Sequence, residues 1–395
     1  MKEKKEIVIS GGGLAGLIAA TAFGNSGHEV LCIDPKKSEN KSQPEHLDIR
    51  TTAYLQPSQI FLQKIGVWQL VDGCSAPLKI MRIIDAAGKK LTVKDFNSSD
   101  ISDAPFGWNV RNSDMRAGLL AKIKTLPNVK FEMGLSLLST TTRSSMARVS
   151  LSNGHIVDCS LLIAADGRDS SIRTQAGIGL KHTDFDQLAL SFSVTHEVPH
   201  NNISTEVHKA GGPFTLVPLP DFEGKPCSAV VWMDYTENMD KLKSLPNTVF
   251  DNLITDRSGG VLGKLTSITN CTKWPIVSQL TDYFYAERTA FIAESAHVLP
   301  PIGAQGLNLS IGDIEALLQL TDTSANDIGS LKVLKKYHQI RRPIAQSRVI
   351  GVGLLNRASK VEGSMATHAR AMGLSAIHKI KPLRHALMQL GIGLR

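Results

Sequence analysis

No stretch of this 395-residue chain approaches the roughly 18 uninterrupted apolar residues that a membrane-spanning helix needs. Its start, MKEKKE, runs directly into β-branched residues with no apolar signal core and no cleavage site, so export is not expected. Cysteine is scarce as well: Cys32, Cys74, Cys159, Cys227 and Cys271 are never closer than 42 positions, which excludes CxxC zinc pairs and any obvious disulfide framework. Reduced core thiols in a cytosolic compartment are the expectation, with no metal site. Acid is nearly missing from Leu331 to Arg395, where 13 basic residues face only Glu362. That segment carries +12 of a total of +8, leaving −4 on residues 1–330. Such asymmetry predicts an anionic membrane surface or an acidic protein as partner for 331–395, and no nucleic acid; a solvated helix face is the plainer alternative.

What is present reads as an ordinary globular protein, 42% hydrophobic and 20% charged, long enough at roughly 150 residues per domain for two or three domains. Glu6 to Ser10 is a β-branched run, GGGLAG follows, and Leu14, Leu17, Ile18 and Ala22 recur at helical spacing. Gly27 ends that helix and His28 to Asp34 alternates as a second strand, completing a βαβ unit. Helices are predicted over Pro57–Ile65, Asn112–Thr125 and Gly306–Leu320, a hairpin over Ile80–Val93 around Ala87-Gly88, and strands over Leu161–Ala165 and Tyr283–Ala293. From about Lys181 to Asp282, alternating runs such as SFSVTHEV, PFTLVPL and SAVVWMD predict a mostly antiparallel sheet.

Gly11-x-Gly13-x-x-Gly16 lies between the first strand and the first helix. Glycines there let the backbone turn sharply and approach a pyrophosphate, whose charge the free N–H groups at the helix start, including those of Leu14 and Ala15, then hold. Asp34 closes the second strand at about the 20-residue interval expected of a carboxylate gripping a ribose. The triplet alone does not separate NAD from FAD. In IAADGRDSSIR, Asp166 and Gly167 end a buried strand ahead of Arg168 and Arg173. In FIAESAHVLPPIGAQGLN, a loop stiffened by Pro300 and Pro301 and opened by Gly303 and Gly306 leads to a helix start at about Gly306. The N–H groups of Gly306, Leu307 and Asn308 suit the anionic edge of a reduced flavin.

Together these segments resemble the FAD-dependent aromatic hydroxylases of the para-hydroxybenzoate hydroxylase fold, and more narrowly the ubiquinone-pathway hydroxylases. The likeness covers nearly the whole chain. It implies an α/β fold: a Rossmann-like FAD-binding domain, a mostly antiparallel β-sheet substrate domain and a C-terminal helical region. The expected division is 1–79, 106–182 and 283–345 for the discontinuous FAD domain, 80–105 and 183–282 for the substrate domain, and 346–395 for a basic helical region. It implies ribose binding by Asp34, Arg50 of Asp48-Ile49-Arg50 near the flavin, and Arg116 of NSDMRAGLL on the pyrophosphate side. Asp166-Gly167 matches the second FAD motif, and Pro301 to Asn308 the flavin-ring loop, with Pro301 on the substrate side. Where the family has Gly-Asp, its aspartate on a ribityl hydroxyl, this chain has Ala293-Glu294.

The implied activity is hydroxylation of a phenolic ring by O2 through a flavin C4a-hydroperoxide. His297 is a candidate for tuning charge in the loop, the alternative being a histidine satisfied by backbone groups behind it. No second GxGxxG follows a strand, so the electron donor is NAD(P)H visiting transiently or another protein. Phe214, Leu216, Val217, Leu219 and Trp232 are candidates for lining a pocket, or plain core. Between Gln187 and Lys225 there is no arginine to hold a small aromatic acid, which favours a polyprenylated substrate. A hydroxylase of a small soluble aromatic and a flavin-binding accessory subunit are the rivals. Pro382 followed by Leu383, Leu387 and Leu390 predicts a helix that lies on a bilayer or packs on the FAD domain, so the expected location is cytoplasmic, peripheral on the inner face of the membrane.

Overall fold

Ile7, Val8 and Ile9 are wholly buried, and so are Leu161, Leu162 and Ile163. Apolar runs buried on both faces belong to parallel strands covered by helices, and the computed structural model places them so; it describes residues 2–37, 50–86, 91–242, 245–323, 327–360, 372–373 and 375–393. Strands β1 (Lys2–Ser10), β2 (Val30–Asp34), β8 (Val129–Met133), β11 (Ile156–Ala164) and β19 (Thr289–Phe291) run parallel in the order β8-β2-β1-β11-β19. The hairpin partner β18 (Tyr285–Ala286) edges β19, and β9 (Leu137–Arg143) with β10 (Met146–Leu151) extends β11 antiparallel. Helices α1 (Leu14–Asn25), α3 (Asn112–Ile123) and α7 (Gln305–Asp322) pack together beside this sheet. The predicted single strand over Tyr283–Ala293 is therefore two short ones, broken where Arg288 turns at φ 56° beside its ion pair with Asp327.

A second sheet of nine strands follows the order β20 (His297–Val298), β17 (Thr272–Thr281), β12 (Leu180–His196), β15 (Lys225–Tyr235), β14 (Gly212–Phe222), β13 (Ile203–Lys209), β5 (Ile80–Asp85), β6 (Thr92–Asn97), with β16 (Leu265–Ser267) on β12. All its pairings are antiparallel except β13 with β5. The predicted hairpin is formed by β5 and β6, while its tip at Ala87-Gly88 lies outside the described residues. A small sheet of β3 (Thr51–Leu55), β7 (Gly107–Arg111) and β4 (Ala76–Leu78) lies beside β14, and α2 (Gln56–Lys64) follows β3.

The stretch read as alternating strands also contains two helices, α5 (Thr236–Lys241) and α6 (Asn247–Arg257). They cover one face of the second sheet, where Phe250 and Ile254 pack with Leu190, Phe192, Phe214, Leu216 and Trp232. Of the two readings of Phe214, Leu216 and Trp232, plain core is the one the structure shows: side chains alternate across a strand, and these point to the helix-covered core. Leu219 is buried with Cys227 and Ala229, and Val217 packs against them. The opposite face presents Ala189, Met233 and Ile276, with Val231 and Trp274, against Ile302 of the loop before α7. Of the cysteines, all free, Cys32, Cys159 and Cys227 are core thiols, and burial pushes Cys159 up to about 12; Cys74 and Cys271 are exposed instead.

Helix α8 (Leu331–Lys360) spans both sheets. Tyr337, Arg341 and Ala345 are buried on the first, while Asn356 donates to Gln187 Oε1 at 2.9 Å and Lys360 to Phe185 O at 2.5 Å on the second. The last helix, α9 (Lys381–Ile392), buries Met388 and Ile392 against Leu55, Phe96 and Phe106.

Because Phe214 is wholly buried beneath α6, Phe214→Ala is expected to cost about 3–5 kcal/mol of unfolding free energy, read as a lowered urea midpoint, with cofactor affinity unchanged at concentrations where the variant is folded. A variant as stable as the parent would place Phe214 elsewhere.

Candidate functional site

The glycine turn is built by close packing. A Cβ on Gly11, at φ +114°, would stand 2.1 Å from Ala165 O, and one on Gly16 would stand 1.8 Å from Gly11 O. Both glycines are required to seat α1 against β1 and β11. Gly13 is exposed and a Cβ there meets nothing within 4 Å, so the fold itself does not require its bareness and the turn is open on that side. The first N–H groups of α1, on Leu14 and Ala15, have no partner within the helix. Asp34, 8% exposed, accepts from Gly12 N at 2.7 Å and Lys36 N at 2.8 Å, one bond to each oxygen. Each oxygen keeps a second lone pair for a ribose hydroxyl. Arg116 donates from Nη1 to Gly12 O at 2.5 Å, clamping the turn on its outer side. Arg50 is exposed, and its carbonyl accepts from Asn112 N; Asp48 and Ile49 lie outside the described residues.

The second motif sits at the end of β11. Asp166 Oδ2 accepts from Ile172 N at 3.2 Å, while Oδ1 is buried without a partner. A buried carboxylate oxygen left unsatisfied is costly, and a hydroxyl donor from a bound group fits it. Gly167 turns at φ +89° with open space at its Cβ. Arg173 is buried; it donates to Ser295 O at 3.0 Å and to Arg168 O at 2.8 Å, so the second motif and the Ala293–Ser295 turn are fastened by one guanidinium. Arg173 was legible only as an arginine after the motif; this clamp was not.

The third segment is bracketed by two non-glycine residues in the left-handed region, Ala293 at φ 56° and Ala304 at φ 55°. The first explains why a glycine belongs at position 293: an L side chain there is strained. Glu294 is the one exposed residue between Thr289 and Val298. Pro301 is half-buried, and Gly303 and Gly306 are exposed. The helix starts at Gln305, one residue before the predicted Gly306, so the N–H groups of Gln305, Gly306 and Leu307 face out of its end. The Asn308 side chain has a part of its own, beyond the expected one of its N–H: its Nδ2 donates to Ala53 O at 2.7 Å and Ala304 O at 2.6 Å, and its Oδ1 accepts from Leu55 N at 2.9 Å. Its side chain secures β3 and the strained Ala304 to α7.

His297 also needs correcting. It is 2% exposed, and its Nε2 lies 2.6 Å from Asp313 Oδ2, whose other oxygen accepts from Arg341 Nε at 2.8 Å. The partner behind the loop is thus a carboxylate, not backbone, while Nδ1 on the other edge of the ring is buried without a partner. Burial by itself raises the Asp313 pKa, but the charges of His297 and Arg341 and the bonds they donate outweigh it and hold the carboxyl below its ordinary value. Gln305 was missed as well: Nε2 donates to Gly303 O at 2.8 Å and Gly391 O at 2.9 Å, joining the loop to α9. The GAQGLN run marked the place, and nothing in the sequence marked Asp313 or Arg341 as its supports.

A glycine cradle opening on a helix start, three carboxylates at or just past the ends of parallel strands of one sheet and a second helix start beside an antiparallel sheet make the fold that of an FAD-dependent monooxygenase. The chain belongs to the family defined by the FAD binding domain, whose model matches residues 4–350. It is similar to ubiquinone hydroxylase UbiL of Rhodospirillum rubrum, 27% identical over 98% of this chain and 89% of the relative. It is also similar to 3-demethoxyubiquinol 3-hydroxylase of Escherichia coli, 24% identical over 98% of each. Among solved structures, p-nitrophenol 4-monooxygenase PnpA of Pseudomonas putida superposes with a TM-score of 0.79 at 15% identity, covering 100% of this chain and 99% of that one.

Two outcomes test this geometry. Ala293→Gly relieves the left-handed strain and is expected to stabilise the protein by about 1 kcal/mol, seen as a raised denaturation midpoint; no gain would mean that the turn is unstrained. Asp313→Asn leaves the buried Arg341 guanidinium without its anion and His297 Nε2 without its carboxylate, and is expected to cost about 3–5 kcal/mol. Since the Asp313 pKa is lowered by folding, its contribution is full above the ordinary carboxyl pKa of about 4 and vanishes as pH falls through the lower folded value. Urea unfolding between neutral and acid pH should therefore show a steeper acid loss for the parent than for the variant.

Proposed function

We propose that the protein is an FAD-dependent monooxygenase that hydroxylates a phenolic ring, and that the ring belongs to a polyprenylated ubiquinone precursor met at a membrane surface. The observation that carries the reading is end-to-end likeness to differently named ubiquinone hydroxylases, including UbiM of Neisseria meningitidis at 25% identity over 97% of this chain and 84% of the relative. The residues fit the cofactor: the bare Gly13, the doubly anchored Asp34 and the unpartnered oxygen of Asp166 suit a dinucleotide.

In this reading Gly11, Gly13, Leu14, Ala15, Gly16 and Asp34 hold the adenosine half, with Arg50 and Arg116 on the pyrophosphate and flavin side. Asp166, Gly167 and Glu294 bind the ribityl chain, and the chain N–H groups from Gly303 to Leu307 face the flavin ring. FAD, reduced by NAD(P)H or a protein donor, supplies the electrons and the activation of O2. The protein orients the ring and excludes water from it. Ala189, Met233 and Ile276 of the second sheet are buried against Ile302 and so back the loop with apolar packing. The strain at Ala293 gives the accessory-subunit reading its one support.

The experiment is to release the chromophore by denaturation and chromatograph it, then to follow NAD(P)H oxidation with a prenylated phenol and with a small aromatic acid. FAD and a product one oxygen heavier from the prenylated phenol are expected. Failure to take up FAD ends the flavoprotein reading, while FAD without turnover leaves the accessory subunit. Glu294→Ala should raise the FAD dissociation constant by roughly tenfold or more, since a charge-assisted bond is worth ~1.5–3 kcal/mol; an unchanged constant would show that Glu294 points elsewhere.

A further inference from the structure

Helix α9 is apolar on two opposite faces, and the protein covers only one of them. Met388 and Ile392 are buried against Leu55, Phe96 and Phe106, and Arg384 on that side pairs with Asp100 at 3.2 Å. About half a turn away, Leu383, Leu387 and Leu390 stand 40%, 40% and 60% exposed in one ridge, continued by Ile380 at 51%. These are the leucines whose packing on the FAD domain was one expectation; the structure turns them outward. Large apolar side chains exposed side by side in one row form the kind of contiguous patch that marks an interaction face, so the ridge calls for an occupant.

The charges around it say which. Neither α8 nor α9 contains an acidic residue. Lys379 and Lys381, both exposed, flank Ile380 at the foot of the ridge. An anionic bilayer takes the leucines into its apolar boundary and the lysines at its phosphates. Arg348 donates to Leu390 O at 2.6 Å and Gln305 to Gly391 O at 2.9 Å, so the end of the ridge is fastened to both α8 and the flavin loop.

We infer that the ridge Leu383, Leu387 and Leu390, with Lys379 and Lys381, docks the protein on an anionic lipid surface and thereby sets the mouth of the flavin site at the bilayer. The inference deepens the membrane-borne substrate of the proposed function, and its test uses no substrate, so either can fail alone.

Co-sedimentation of the full chain with phosphatidylglycerol–phosphatidylcholine vesicles and with phosphatidylcholine vesicles, at low and high salt, is the measurement. The parent should partition roughly tenfold or more better onto anionic vesicles at low salt, and lose that preference at high salt. The triple variant Leu383→Ser, Leu387→Ser, Leu390→Ser should lose most binding to anionic vesicles, while Lys379→Glu with Lys381→Glu should lose the anionic preference. Thermal melts of both guard against misfolding, and the lysine pair alone suffices if the triple variant does not fold. Three outcomes overturn the inference: no binding by the parent to anionic vesicles, binding by folded variants equal to the parent, or a parent dimer that the serine variant turns into monomers without any vesicle binding.

Discussion

The Asp313 carboxylate is the constraint around which the flavin loop is organised. It is wholly buried, and an ion in that position survives only while its partners stay in place. His297 reaches it from β20, the last strand before the loop; Arg341 reaches it from α8; Asp313 itself lies two turns into α7, the helix that the loop feeds. The two ends of the segment from Val298 to Ala304 are thereby stapled to one another and to α8. Because β20 also pairs with β17, the same contact joins the antiparallel sheet to the helical layer of the first sheet.

Around that staple the chain tolerates strain that it would otherwise relax. Ala293 and Ala304 both sit in the left-handed region, at a cost glycine would avoid. Each is held by a neighbour's polar group: Arg173 grips the turn at Ser295 O, and Asn308 Nδ2 grips Ala304 O. The bonds that fix these turns all lie behind them, leaving Glu294, Gly303 and Gly306 exposed on the other side. Rigidity behind and open polar groups in front is what binding a planar cofactor in one orientation demands.

The parallel core and its glycine turn were legible because their signals are local: a buried apolar run, three glycines at fixed spacing, an aspartate closing the next strand. The supports were not, because they join distant positions. Asp313 and Arg341 are 28 residues apart and His297 lies 16 before Asp313, and no spacing rule marks such a set. Helix α6 escaped notice for a different reason. Its sequence, NTVFDNLITDR, is rich in β-branched residues, so it reads as strand until packing on the sheet overrides propensity. Without it, the covered face of β14 and β15 could not be told from the open one, and for Phe214, Leu216 and Trp232 pocket and plain core both stood open.

The orientation of α9 follows from the same logic of faces. Its leucines at 383, 387 and 390 form the stronger periodic signal, yet Met388 and Ile392 are the residues that fit the gap left by Leu55, Phe96 and Phe106. Rolling the helix to bury the leucines would expose that gap, break the Arg384–Asp100 pair and withdraw Gly391 O from Gln305. The apolar ridge is therefore held outward by contacts inside the protein, two of which belong to the small sheet and the flavin loop. Its exposure thus follows from what the rest of α9 must hold, and not from any lack of apolar residues to pack against.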